Sequence, residues 1–238
     1  MMYKKTGGKD CSIMRAEITA SIMCADLLNL EKDIKALEKA GVDYFHYDIM
    51  DGHFVPNMTL GLETICEIQK RVRIPSDFHL LVKKPEDVIE LLDAGENDMV
   101  SFHYSSTKFV DRCLEMIHGL GAKAGIVLDV KESYELLEPF LEKIDYINLM
   151  MITPGFAGQP LVDGMIEKIM NTRKWLDSKK KKHVKIMVDG SVNYDRARLM
   201  HKLGGDILVA GSSSLFKGDM TFEESMKTFE KYTSHKNY

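Results

Sequence analysis

The 238-residue sequence is poor in the features that mark several protein classes. Its four cysteines, Cys11, Cys24, Cys66 and Cys113, stand far apart and form no CxxC pair. That argues against a zinc knuckle and a disulfide framework and fits a cytoplasmic, reducing environment. No apolar run approaches the about 18 residues that a membrane span needs, so no membrane partner is expected. The first residues, MMYKKTGGKDCSIMRAE, lack the apolar core of a signal peptide. Residues 1–16 read as a loosely ordered extension ahead of one domain spanning 17–238. The net charge of −4 carries no basic excess, so no nucleic-acid partner is expected. The one basic run, Lys179–Lys182 followed by His183, falls between a helical and a strand-like segment and reads as a solvated connection.

What is present points to a single α/β domain. With 45% apolar and 29% charged residues the chain can bury a full core, and its length suits one closed barrel. Apolar spacing places strands over 18–24, 43–49, 77–82, 99–103, 122–128, 145–152, 184–188 and 207–210. Helices alternate with them over 26–40, 62–72, 85–94, 109–119, 134–141, 162–176, 194–203 and 221–232. Strict alternation implies a parallel sheet covered by helices, and eight units favour a (β/α)8 TIM barrel over an open sheet. The phrases at Gly41, Gly95 and Gly204 each precede a strand and read as one helix stop reused, with glycine as a left-handed cap. No GxGxxG follows the first strand, which weakens a dinucleotide-binding reading.

In such a barrel chemistry sits at the C-terminal ends of the strands. His46 and Asp48 are two residues apart on the second strand, so both side chains share a face, while Tyr47 and Ile49 turn into apolar packing. Ser21 lies in the first strand, His79 in the third and His103 in the fourth, and Asp189 ends the seventh. Any one of these histidines could be a core residue bonded to backbone. Two histidines and two aspartates from three strands can instead converge on one divalent metal ion, with Zn²⁺, Fe²⁺, Mn²⁺ and Co²⁺ all suited to mixed nitrogen and oxygen ligands.

Glycines gather late in the chain. Thr153–Gln159 (TPGFAGQ), Asp189-Gly190-Ser191 and Ala210–Ser214 (AGSSS) follow the last three strands. Glycine there lets backbone N–H groups approach an anion, and the last loops of a barrel often hold phosphate. Each alone is a turn. Together they predict a phosphorylated small substrate whose other end reaches the metal.

HxDxMDGHFVPN at His46–Asn57, Asp77-Phe78-His79-Leu80, PGFxGQ at Pro154–Gln159, VDG at Val188–Gly190 and Gly211-Ser212 resemble the ribulose-phosphate 3-epimerases. The resemblance runs in register from about Ile18 to Phe216. Several details, among them Ser21–Leu28, Gly155–Pro160 and Ser191 in place of a more usual glycine, are more similar to the D-allulose-6-phosphate 3-epimerases within that family. The resemblance implies a metal-dependent isomerase inverting C3 of a phosphorylated ketose through an enediolate. The expectation is D-allulose 6-phosphate to D-fructose 6-phosphate, with D-ribulose 5-phosphate to D-xylulose 5-phosphate as the alternative.

Residue by residue, the resemblance makes His46, Asp48, His79 and Asp189 the metal ligands and Asp48 and Asp189 also the acid/base pair. It places Ser21, Met50 and Met150 against the substrate. Gly155, Phe156, Ala157, Gly158, Gly190, Ser191, Gly211 and Ser212 fall where the family binds phosphate. Leu81, Ala20 and Ser105 depart from the family pattern without removing a ligand or either aspartate. A homo-oligomer formed through helix faces is expected. A decarboxylase or aldolase would want a lysine at a strand end, which the second strand lacks. A non-catalytic sugar-phosphate-binding barrel would be signalled by loss of a ligand or an aspartate, and all are intact.

Overall fold

The computed structural model describes residues 15–234, and eight parallel strands close on themselves in sequence order. They are β1 (Glu17–Ser21), β2 (Tyr44–Met50), β3 (Ser76–Leu81), β4 (Met99–His103), β5 (Lys123–Leu128), β6 (Tyr146–Met150), β7 (Lys185–Asp189) and β8 (Ile207–Ala210). β8 pairs with β1 through Glu17–Ala20, so no strand edge stays open. Among the described residues seven α-helices lie between and after them: α1 (Leu30–Ala40), α2 (Leu62–Gln69), α3 (Pro85–Ile89), α4 (Val110–Gly119), α5 (Met165–Ser178), α6 (Tyr194–Lys202) and α7 (Phe222–Thr233). This is the (β/α)8 TIM barrel that the alternation implies.

The eighth covering element differs from expectation. Residues Tyr134–Phe140 form a 3₁₀ helix, because Pro139 lies inside it and lacks the N–H that an α-helical turn needs. The first strand stops at Ser21, and Ile22–Cys24 form one 3₁₀ turn closed by Ala25 N–H to Ile22 O at 3.1 Å. Its apolar residues fill core space rather than extend the strand, Ile22 being fully buried. Helix α1 begins at Leu30 rather than 26, because Asp26 accepts from Leu28 N and Asn29 Nδ2 and holds a tight turn. Helix α3 ends at Ile89, short of 94. Gly41 and Gly204 take the left-handed conformation expected of them, whereas Gly95 does not.

The repeated pre-strand phrases do share a purpose, carried by their aspartates. Asp43, Asp98, Asp145 and Asp206 stand just before the even strands, and each accepts a backbone N–H from the odd strand beside it. The donors are Ile18, Ser76, Ala124 and Ile186, at 2.7 to 2.8 Å. A charge-assisted bond at each odd strand's entry fixes the register of neighbouring strands at the closed end of the barrel. Arg15 adds a bidentate clamp on Asp43 at 2.7 and 3.0 Å. Of the expected extension over 1–16, residues 1–14 lie outside the described residues, while Ala16 is buried.

Alternation along β2 sorts its side chains as expected. Phe45, Tyr47 and Ile49 join the large core between sheet and helices, while Tyr44 and Met50 belong to separate clusters inside the barrel. The barrel floor is Tyr44, Met99, Tyr146, Met187, Ile207 and Val209. Gly125 makes room for it: a Cβ there would stand 2.3 Å from the Tyr146 ring. The basic run Lys179–Lys182 connects α5 to β7, with Lys179 paired to Glu138 and Lys181 to Glu142, so it is a surface connection. Cys24, Cys66 and Cys113 are free thiols, and Cys11 lies outside the described residues.

Candidate active site

The barrel's C-terminal mouth receives the polar ends of β2, β3 and β7. His46, Asp48, His79 and Asp189 each bring one ligand atom to within 4.8 Å of the others. Register does this: Asp48 lies opposite His79 across the β2–β3 pair, and Asp189 ends β7 beside Met150. The His46 Nε2 atom is 3.3 Å from Asp48 Oδ1 and 3.5 Å from Asp189 Oδ2. The His79 Nδ1 atom is 3.3 Å from each of the same two oxygens. His79 Nδ1 and Asp189 Oδ2 are buried and make no aligned hydrogen bond. The two imidazole nitrogens and two carboxylate oxygens facing one point form a donor set that can hold a divalent cation.

Charge organises the same group. Burial disfavours both imidazolium ions, yet the carboxylates of Asp48 and Asp77 carry the His46 pKa well above its ordinary value. Burial likewise opposes charge on His79, and the carboxylates of Asp189 and Asp48 beside it raise it overall. Burial alone would raise Asp48 and Asp189, but the two imidazoles hold both carboxyls below the usual range. His103, also fully buried, goes the other way: desolvation first, then the charge of His79, pushes it well below ordinary. A site that keeps its two aspartates ionised is prepared to bind a cation or to take a proton.

Further hydrogen bonds brace the site. Ser21 Oγ donates to Asp48 Oδ2 at 3.0 Å, and the Thr59 hydroxyl donates to the Asp48 carbonyl. Asp51 accepts from His53 N and Phe54 N on one oxygen and from Lys83 N on the other, tying the loop after β2 to the end of β3. Asn57 Nδ2 donates to Gly155 O at 2.7 Å, which fastens the same loop to the glycine loop after β6. Met50, Val55 and Leu81 pack together as an apolar wall, with Met150 in a second cluster beside Val127 and Ile152.

A single cavity opens above these groups. Ser21, Asp48, His79 and Asp189 line it, as do Met50 and Met150. Gly155, Phe156, Ala157 and Gly158 form one side, and Gly190, Ser191, Gly211 and Ser212 another. All of the expected site residues therefore surround one space except His46, which lies buried beneath it. Gly155, Gly158 and Gly190 have positive φ, and a Cβ on Gly190 would meet Ile152 at 2.6 Å. Ser191 follows in the left-handed region at φ 56°, with Arg196 Nη1 donating to its hydroxyl at 2.5 Å and to its carbonyl at 3.0 Å. Consecutive positive-φ residues turn backbone N–H groups toward one side, a concavity suited to an anion.

Sequence reasoning missed several of these residues. Asp77 stands out in the sequence only as the start of a motif, although its spacing from His79 places both on one strand face. Asn57 closes the long motif without its loop contact being readable. Arg196 gives no signal, because its contact depends on a side chain folding back from the first turn of α6. Met23 and Cys24 line the cavity from the turn after β1, where a strand was expected.

Comparison with known proteins agrees with this geometry. A model of the Ribulose-phosphate 3 epimerase family matches residues 17–216. Ribulose-phosphate 3-epimerase from Bacillus subtilis is 34% identical over 203 residues, covering 85% of this chain and 94% of the relative. The protein of that name from Methanocaldococcus jannaschii is 35% identical, covering 86% of each. Among solved structures, a thiamine phosphate pyrophosphorylase from Pyrococcus furiosus has a TM-score of 0.61 at 13% identity, over 92% of this chain and 95% of the other. The tryptophan synthase α subunit from Legionella pneumophila gives 0.62 at 11%, over 92% of each chain, and both likenesses speak for the fold alone. The expected D-allulose-6-phosphate subtype finds no support among these relatives. No helix among the described residues is long and apolar enough to cross a membrane. The chain belongs to the ribulose-phosphate 3-epimerase family, a family of isomerases acting on sugar phosphates.

Proposed function

We propose that the protein is a metal-dependent ketose-phosphate 3-epimerase that interconverts D-ribulose 5-phosphate and D-xylulose 5-phosphate. The observation that carries this reading is the convergence of Asp48 from β2 and Asp189 from β7 with two buried imidazoles at the floor of one cavity. The relatives bearing the ribulose-phosphate name support the pentulose over the hexulose.

Inverting C3 requires removal of a proton beside the C2 carbonyl and return of a proton to the other face. Asp48 and Asp189 supply the two groups. One removes the C3 proton as a carboxylate. The other, protonated in the substrate complex, delivers a proton to the opposite face of the enediolate, and the reverse reaction exchanges their roles. When bound by His46, Asp48, His79 and Asp189, a divalent cation supplies positive charge against the negative charge that develops on the ketose oxygens. Met50, Met150 and Leu81 line or back the reacting end with side chains that offer no competing proton. At the far end, the loops of Gly155–Gly158, Gly190-Ser191 and Gly211-Ser212 receive the phosphate. Because Ser191 Oγ accepts from Arg196, its own O–H is left to donate to that anion.

A second reading, D-allulose 6-phosphate to D-fructose 6-phosphate, draws on Ser191, a side chain where glycine is more usual. A paired measurement of kcat/KM on metal-reconstituted protein separates the two substrates. Preference for the pentulose is the expected result, and preference for the hexulose would transfer the same chemistry to the longer sugar. Activity on neither, with metal bound, would favour a non-catalytic sugar-phosphate-binding barrel. Asp189→Asn is expected to abolish all but a trace of turnover, since an amide cannot exchange the proton.

A further inference from the structure

The two candidate histidine ligands present different nitrogens to the same point. His46 turns Nε2 toward Asp48 and Asp189, and its Nδ1 lies 2.6 Å from Asp77 Oδ2. His79 is reversed: Nδ1 faces Asp48 and Asp189, and Nε2 lies 3.0 Å from Nε2 of His103. His46, Asp77, His79 and His103 are all fully buried, so water cannot replace either contact.

A neutral imidazole offers a cation the lone pair of one nitrogen only while its proton sits on the other. We propose that Asp77 and His103 are positioning residues that fix the tautomers of the two ligands in opposite senses. Asp77 keeps the proton of His46 on Nδ1, and His103 keeps the proton of His79 on Nε2. This rests on the metal-assisted reading above and concerns how that site is assembled.

For His46 the direction follows from the partner. The Asp77 oxygen accepts, so His46 Nδ1 donates at 2.6 Å, and a carboxylate behind the ring makes Nε2 a stronger ligand. Asp77 Oδ2 is itself held by the Thr19 hydroxyl at 3.3 Å, inside the barrel. For His79 the direction follows from the ligand side. With Nδ1 facing the two carboxylates and any shared cation, the ring proton belongs on Nε2, and the nitrogen 3.0 Å away must accept it. His103 therefore carries its own proton on Nδ1, which has no hydrogen-bond partner among the described residues, while the Phe54 ring packs 4.7 Å from the His103 ring. His103 is not a core histidine bonded to backbone, since among the described residues its ring nitrogens hydrogen-bond only to His79. The β3–β4 register supports the approach by pairing His79 with Ser101, two residues before His103 on the same face.

The test needs no substrate. Long-range ¹H–¹⁵N NMR of the Zn²⁺-loaded wild-type protein is expected to show His46 protonated at Nδ1 and His79 at Nε2. Co²⁺ affinity, measured by competition with a chelator, is expected to fall about 10- to 100-fold in His103→Leu and in Asp77→Ala, neither of which leaves an acceptor for the ligand's ring N–H. His103→Gln, whose amide oxygen can accept from His79 Nε2–H, is expected to stay within about threefold of wild type. A purely structural role would make Gln and Leu equally harmful, which would overturn the assignment of His103. Protonation of His79 on Nδ1 in the loaded protein would overturn it without any variant having to fold. Wild-type protein that binds no Co²⁺ overturns this inference together with the metal-assisted reading. Correct tautomers without turnover of either ketose phosphate overturn only the functional reading.

Discussion

Asn57 and Gly155, 98 residues apart, are joined by one 2.7 Å hydrogen bond from the Asn57 amide to the Gly155 carbonyl. The bond connects the segment that begins with a metal-ligand candidate to the loop proposed to receive the substrate's phosphate. Asn57→Ala removes the donor and leaves the Gly155 carbonyl to water, a loss of about 1 kcal/mol. The expected result is a KM for the ketose phosphate raised about fivefold, with kcat and the unfolding midpoint little changed. An unchanged KM would show that the loop is held without this bond.

Arg196 acts at the same end from another element. It grips the hydroxyl and carbonyl of Ser191, whose positive φ is unfavourable for any residue with a Cβ. Arg196→Ala is expected to raise KM about three- to tenfold while leaving kcat within about twofold, the signature of lost uniform binding. A fall in kcat at constant KM would instead place Arg196 in the chemical step.

Much of this architecture is legible in the sequence because two periodicities dominate it. Alternating strands and helices count out the barrel, and the two-residue spacing of His46 and Asp48 announces a shared face at a strand end. The legible residues are those whose environment follows from position along one strand. What escapes depends on register between strands or on side chains reaching across elements. Asp77 meets His46 only because β3 pairs with β2 at that offset. The Tyr134–Phe140 segment has helical apolar spacing, yet Pro139 tightens it to a 3₁₀ helix. The aspartates that cap alternate strands recur visibly, but their partners lie in the preceding unit.

Removing the metal should expose a pH dependence with a defined sign. His46 and His79 are raised above an unfolded value of about 6.5, so their contribution is full below that pH. It is lost as pH rises through their folded values. Asp48 and Asp189 are depressed, so theirs is present above about 3.9 and is lost as pH falls through their folded values. Chelated protein is therefore expected to lose stability in urea as pH rises above about 6.5. A bound cation needs the same imidazole lone pairs and its affinity rises with pH, so Co²⁺-loaded protein should lose less. Equal losses in the two forms would mean that these histidines are not the groups responsible.

The barrel floor offers a test of the fold independent of the chemistry. Tyr146 lies across the barrel from β6, and its ring occupies the space above Gly125 that any Cβ would enter at 2.3 Å. Both residues are buried between strands that pair directly, so neither can shift without moving the β5–β6 register. Gly125→Ala is expected to lower stability by about 1–3 kcal/mol, read as a lower urea midpoint at unchanged slope. Tyr146→Phe should not relieve it, since the clash is with ring carbons rather than the hydroxyl. Tyr146→Leu should, because a shorter side chain vacates the space, so the double variant Gly125→Ala/Tyr146→Leu should be more stable than the sum of its singles predicts. Strict additivity would show that the overlap is relaxed elsewhere in the barrel and that Gly125 is kept for a backbone reason.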